Sequence, residues 1–318
     1  MNGMKLLRTT LILFCATLLY GCLEETAYCP TDRNIIVRFV YVYNGDDYFA
    51  GSVQMVNLFV FDNTSGLLVH SEEVNYYQLE QFAGTMLNYL EPGEYRLVAW
   101  GNAGQHSTFG RVNEGDHFNT SYVGRQGVPR NTNAQPGNGD RLHFAPGLLT
   151  VPRSGDVEIT MSFARAYIGL EVFVVNKFLY TGELPPPIIE IDGASSHFDF
   201  DRTPEGNITL REATDVQTQF VERPAVAMFR TKLFDNNANL VKQLRVHSAV
   251  DNEVHFTIDT AMFRQIIMQF MIENGIMSLK NDATPRRVIP IVIEFTGQDV
   301  EVSITVPNFE LIPGIPVS

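Results

Sequence analysis

The sequence predicts a mainly β protein: two β-sandwiches in series, with one amphipathic helix in the second. Short runs rich in β-branched and aromatic residues recur along the chain. Clusters of Gly, Asn, Asp and Pro separate them, and one stretch alone carries a sustained helical period. With 318 residues, 45% of them hydrophobic and 11% aromatic, the chain can fill two cores of ordinary size. No internal repeat is visible.

The first β run is Ile35 to Tyr43. Val37, Phe39, Tyr41 and Tyr43 share one face, Ile36, Arg38, Val40 and Val42 the other, so a largely covered strand is expected. Asn44-Gly45-Asp46-Asp47 ends it. Val53 to Asp62 and Leu67 to His70 read as a hairpin around Asp62-Asn63-Thr64-Ser65-Gly66. Leu87 to Leu90 leads into Glu91-Pro92-Gly93-Glu94, which reads as a type II turn, with Gly93 taking the positive φ. Tyr95 to Trp100 follows as a strand. Residues 103–141 are polar, rich in Gly and Asn, and without a period, which predicts a long surface excursion or binding loop. Leu142 to Phe144 and Asp156 to Phe163 are further strands. In the latter, Val157, Ile159, Met161 and Phe163 alternate with polar residues. The domain boundary is placed after it, giving domains at 34–164 and 165–318.

The second domain opens with Ala166 to Val175. Ile188 to Ile191, His197 to Asp201 and Asn207 to Arg211 read as a meander, and Val226 to Phe229, Leu240 to His247 and Glu253 to Ile258 add more β structure. Phe263, Ile266, Ile267, Phe270 and Met271 repeat at helical spacing. Asp259 or Thr260 can cap that helix and Gly275 can end it. Val288 to Phe295 and Glu301 to Val306 form a closing hairpin around Gly297-Gln298-Asp299. Val300, Val302, Ile304 and Val306 line one face of its second arm, and Pro307, Pro313 and Pro316 keep the tail from continuing a central strand.

The sequence argues against several chemistries. Net charge is −13, which repels nucleic acid and anionic headgroups, so nucleic acid is not an expected partner. The seven His are scattered without metal-ligand spacing. His197, Asp199 and Asp201 alternate along one stretch but read more simply as a polar hairpin end, and no metal or other cofactor is expected. No nucleophile elbow or phosphate-binding loop is present, and adjacent acidic pairs such as Asp46-Asp47 and Glu72-Glu73 point to opposite faces of a strand. No catalytic residue is assigned.

The N-terminus is the most informative stretch. Lys5 and Arg8 precede an apolar run from Thr9 to Tyr20, closed by Gly21-Cys22. This is the layout of an export signal over residues 1–21, and the run is shorter than the roughly 20 residues of a membrane span. Gly21-Cys22 resembles a bacterial lipobox, with Tyr20 where a small or β-branched residue is usual. The resemblance implies cleavage between Gly21 and Cys22 and a covalent lipid on Cys22. Residues 22–33 would form the tether, and its Glu24-Glu25 resembles a surface-export signal of Bacteroidetes lipoproteins. Loss of Lys5 and Arg8 takes the net charge to −15. Of the three Cys, Cys15 leaves with the signal and Cys29 remains as a tether thiol, so no intramolecular disulfide framework is available.

Together with Gly21-Cys22, three patches carry a wider resemblance: Val56 to Asp62, Leu90 to Asn102 (LEPGEYRLVAWGN) and Phe163 to Leu170. They resemble the fimbrial anchor family of Bacteroidales, the FimB-type subunits of type V pili. The resemblance implies two transthyretin-like β-sandwiches, an outer-membrane lipid anchor facing the cell surface, and stalk or accessory pilus subunits as partners, joined by β-strand addition. An anchor should keep its first strand and its lipid. No maturation cut is therefore expected at Arg33, where it would free the body from its lipid, or at Arg38, which lies inside the strand. Val300, Val302, Ile304 and Val306 are the candidate donor strand, or else the last core strand of their own domain. The competing reading is a surface lipoprotein that binds glycan or host protein outside any pilus.

Overall fold

β1 (Ile35–Val40) stops at Tyr41, and the rest of the run makes a small hairpin of β2 (Val42–Tyr43) and β3 (Asp46–Asp47). Its two central residues, Asn44 and Gly45, have φ of 51° and 90°, the type I′ pattern that Asn-Gly favours. The computed structural model that shows this describes residues 33–126, 139–176, 185–206, 208–217, 224–232, 243–276, 288–296 and 299–305. Gly21, Cys22, Cys29, Asn207, Gly297, Gln298 and Val306 lie outside the described residues.

A short helix α1 (Phe49–Ser52) precedes β4 (Val56–Asp62), so Val53 to Met55 fall outside the strand. Asp62 Oδ1 accepts the Ser65 N–H at 2.6 Å and Gly66 takes φ 72°, which turns the chain into β5 (Leu68–Val74). Helix α2 (Tyr76–Gln81) follows, started by a capping box in which Asn75 and Gln78 satisfy each other's backbone N–H. Next come β6 (Gly84–Met86) and β7 (Gly93–Gly101). The expected type II turn at Pro92-Gly93 does not form. Gly93 has no positive φ and pairs with Val151 as the first rung of β7. The chain reverses earlier, where the Leu90 N–H donates to the Leu87 carbonyl at 3.1 Å, so Leu87 to Leu90 is a turn and not a strand. Ladder pairing outweighed the local preference of the Pro-Gly pair.

The polar stretch after β7 is not a plain loop. It contains β8 (Ser107–Gly110), a 3₁₀ turn at Phe118–Thr120 and β9 (Tyr122–Arg125). β10 (His143–Val151) is nine residues long, where only Leu142 to Phe144 was expected. It tolerates Pro146 because, among the described residues, its outer neighbour covers only His143 and Phe144 and leaves the edge beyond them unpaired. β11 (Val157–Ser162) and β12 (Ala164–Arg165) complete the first half. A three-stranded sheet, β11-β1-β6, faces a five-stranded one, β12-β10-β7-β4-β5. Ile35, Val37, Phe39, Leu58, Val60, Leu97 and Ala99 are wholly or almost wholly buried between them.

The second half comprises β13 (Tyr167–Asn176), β14 (Ile188–Ala194), β15 (His197–Asp199), β16 (Pro204–Glu205), β17 (Ile208–Ala213), β18 (Asp215–Val216), β19 (Ala225–Lys232), β20 (Gln243–His247), β21 (Val254–Ile258), helix α3 (Thr260–Glu273), β22 (Val288–Phe295) and β23 (Val300–Ser303). Sheet β18-β19-β13-β22-β23 packs on sheet β17-β14-β20-β21, so the chain is mainly β with two sandwiches in tandem. α3 buries Phe263, Ile266, Ile267 and Phe270, as its spacing predicts, and Met271 packs against the same core. Asp259 caps it by accepting the Met262 N–H at 2.8 Å. Gly275, at φ 64°, closes it with the paired bonds Ile276 N–H to Met271 O and Gly275 N–H to Ile272 O.

The expected meander is corrected. β14 pairs with β17 and β20, but β15 leaves that sheet and pairs with β9 of the first half. The resulting sheet, β16-β15-β9-β8, is built from both halves of the chain. It belongs with a third apolar cluster that joins Phe59, Phe61, Val98, Trp100 and Phe144 to Val123, Phe198 and Phe200. β7 is therefore buried on both faces: Leu97 and Ala99 enter the first sandwich, Val98 and Trp100 this junction. Arg125 Nη2 adds a bond across the halves, donating to the Arg230 carbonyl at 2.5 Å. Burial lowers the Arg125 pKa to about 10, which leaves it charged at neutral pH.

Candidate functional site

The seat of the first strand is the best-defined candidate. β1 is the central strand of its sheet, parallel to β11 on one side and antiparallel to β6 on the other. Ile35, Val37, Phe39 and Tyr41 are at most 1% exposed. The other face is half-buried, and Arg38 projects from it to pair with Glu158 at 2.5 Å while lying 5.3 Å over the Phe82 ring. Both charged side chains of that pair are nearly half exposed, so its contribution is below about 1 kcal/mol.

The entry to β1 is held more firmly. Arg33 is only 3% exposed, and its guanidinium donates to the carbonyls of Leu90 and Pro152. A buried guanidinium is tolerated only with such partners. Asn34 binds the Asp156 carboxylate through its backbone N–H (2.7 Å) and its side chain (3.2 Å), which lowers the Asp156 pKa. The Ile35 N–H donates to Asn88 Oδ1 at 2.8 Å. Three consecutive residues are thus tied to the turns before β7 and before β11. Arg33 and Arg38 stand out in the sequence as the basic residues that matter here. The carbonyl clamp on Arg33 does not, because it is made by residues 57 and 119 positions away.

At the other end of the chain, Val300 and Val302 lie in β23, the edge strand of their own sheet, antiparallel to β22. Both pack against the second core, and Ile304 is 6% exposed. The described part of the C-terminal segment is therefore placed as the last strand of its own sandwich.

The dispersed histidines have structural settings. His143 sits at the seam, edge-on to Tyr41 and Tyr167 with ring centroids 5.2 and 6.0 Å away. His197 and Asp199 share a sheet face as expected. Asp201 does not join them: its carboxylate accepts the Thr203 N–H in the turn, and Glu205 takes the place beside His197, with Oε2 at 3.0 Å from Nε2. No helix among the described residues is long and apolar enough to cross a membrane.

Comparisons with known proteins agree with this architecture. The family model for fimbrillin-A associated anchor proteins Mfa1 and Mfa2 matches residues 25–312. No curated protein matches the chain. Among solved structures, a candidate adhesin from Bacteroides ovatus superposes with a TM-score of 0.68 at 12% identity, covering 89% of this chain and 97% of that one. The fimbrial anchor protein Mfa2 from Porphyromonas gingivalis superposes with a TM-score of 0.61 at 15% identity, covering 86% and 98%. A candidate polysaccharide-binding protein from Bacteroides thetaiotaomicron gives 0.62 at 15% identity, covering 82% and 90%. At these identities the likeness to solved structures is one of fold. The family model spans most of the chain, and the chain belongs to the family of fimbrillin-A associated anchor proteins.

Proposed function

We propose that this chain anchors a surface pilus to the outer membrane, through lipid on Cys22, and keeps its first strand. Residues 22–33 serve as the tether and residues 34–164 and 165–318 as the two domains. The observation that carries the reading is the seat of β1. The strand fills the centre of its own sheet, and the residue before it that a trypsin-like protease would need, Arg33, is buried in a carbonyl clamp. A pilus subunit polymerises by accepting a neighbour's strand in an open groove. A subunit whose groove is filled by its own strand accepts none there, so it ends the shaft, and an uncut chain stays joined to the lipid at Cys22. Its partners are stalk or accessory subunits on one side and the outer membrane on the other.

Cys22→Ala removes the acylation site without touching the described body. The protein is expected to fold normally, leave the membrane fraction and shed its pili into the medium. Retention in the membrane would overturn the lipid assignment.

The donor role goes to the tail that begins at Val306, because Val300, Val302 and Ile304 pack into the core of their own sandwich. A chain ending at Thr305 is expected to fold and to leave pili unattached. Pili that stay attached would remove the donor role.

A further inference from the structure

We propose that His197, Asp199 and Glu205 form a divalent-cation site that prefers zinc to calcium, on the outer face of the sheet shared by the two halves. The placement follows from strand register. His197 and Glu205 are direct partners across the antiparallel β15–β16 pair, and Asp199 lies two residues along β15, so all three side chains emerge on one face. Their ligand atoms lie within 4.8 Å of one another, and Nε2 of His197 is 3.0 Å from the Glu205 carboxylate. The neighbouring strand β9 presents Gly124 opposite His197, which leaves the imidazole room, and Tyr122 opposite Asp199, whose ring stands edge-on to His197 at 5.4 Å.

The imidazole is also held as a metal ligand would be. His197 is only 3% exposed, and Ser196 Oγ lies 2.8 Å from Nδ1. Once a metal displaces the proton from Nε2, the hydroxyl can accept from Nδ1–H and the Nε2 lone pair faces the carboxylates. This is the outer-shell arrangement that fixes the tautomer of ligating histidines. Ser196 is fixed in turn: its N–H donates to the Glu205 carbonyl at 2.9 Å, and Gly206, at φ 76°, leaves the space its Oγ occupies. Without a metal the same atoms make a His–Glu hydrogen bond, so the experiment must separate the two.

One imidazole and two carboxylates, with water in the fourth position, suit zinc at about 2.0–2.2 Å. Calcium takes six to eight oxygens, and a pair of carboxylates on one hairpin supplies too few. Because β15 pairs with β9, a bound ion would stiffen the strand that joins the two halves.

The full-length chain, stripped with EDTA and dialysed, would be titrated calorimetrically with zinc chloride and separately with calcium chloride. One zinc per chain is expected, with calcium much weaker and with thermal unfolding raised by zinc. Glu205→Gln, a change at a half-buried side chain, should weaken zinc by more than about tenfold and abolish the thermal shift. Ser196→Ala should weaken it about tenfold through the imidazole. Circular dichroism would confirm that each variant is folded. No zinc binding, zinc binding unchanged in Glu205→Gln, or calcium binding as tight as zinc would each overturn the proposal.

Discussion

Replacing Trp100 with Ala is expected to cost about 3–5 kcal/mol, the range for deleting a fully buried aromatic side chain. Trp100 is 0% exposed. Its ring lies 4.9 Å from Phe144 and 5.6 and 6.3 Å from Phe198 and Phe200, centroid to centroid. The first of these belongs to the five-stranded sheet of the first sandwich. The other two follow from the β15 segment in the second half, so the cavity would open where the halves meet. The loss should therefore show both as lower global stability and as earlier exposure of residues 197–200 in hydrogen exchange. Trp100→Phe is the informative control. It keeps most of the ring volume and removes an indole N–H that has no acceptor among the described residues, so it should cost less than about 2 kcal/mol. Equal costs for the two variants would show that aromatic packing at this position does not hold the junction.

Acidification is expected to weaken the fold through His143. Burial lowers its pKa from 6.5 to about 4, and the charges of Arg165 and Arg141 act in the same direction. The Arg141 carbonyl, 2.9 Å from Nδ1, holds the proton there and opposes the shift more than either arginine charge adds to it, but less than burial lowers it. As pH falls below 6.5 the unfolded chain protonates this imidazole while the folded chain does not. The native state therefore has its full stability above pH 6.5 and loses it steadily down to pH 4, by about 3 kcal/mol in all. Denaturant unfolding of the wild type and of His143→Asn at several pH values measures this. The wild type should lose about 3 kcal/mol more than the variant between pH 7 and pH 4. Parallel curves would mean that His143 takes up its proton at the same pH in the folded and unfolded chain.

Much of the fold is legible in the sequence because strand alternation and helix spacing are local. Val157, Ile159 and Met161 reveal a strand face, and Asp259, the stripe from Phe263 to Phe270, and Gly275 together mark a helix with both its ends. The junction is not legible in the same way. β8, β9, β15 and β16 have two to four residues each, too few to show a period, and β9 finds β15 some seventy residues away. The outward apolar residues Phe59, Phe61 and Trp100 do signal that something covers that face, but not what. α2 carries a readable signal in Asn75 and Gln78, yet only Leu79 of its residues is buried, so no stripe announces it. Gly93 shows the opposite failure, a strong local turn signal overridden by nine rungs of ladder with β10.

The candidate sites divide in the same way. The lipobox-like pair Gly21-Cys22 is read from adjacent residues. The clamp on Arg33 depends on the carbonyls of Leu90 and Pro152, and backbone carbonyls leave no mark in a sequence. Glu205 enters beside His197 only because the Asp201–Thr203 turn folds one strand back on the other. Sequence spacing alone put Asp201 in that place.

The central claim is that one uncut chain runs from the lipid on Cys22 through the clamped Arg33 into β1. Mass analysis of the intact N-terminus of protein extracted from outer membranes tests it directly. The expected chain begins at Cys22 and carries lipid. A chain beginning at Asn34 or Phe39 would show that the first strand is cut from its anchor and would contradict the account.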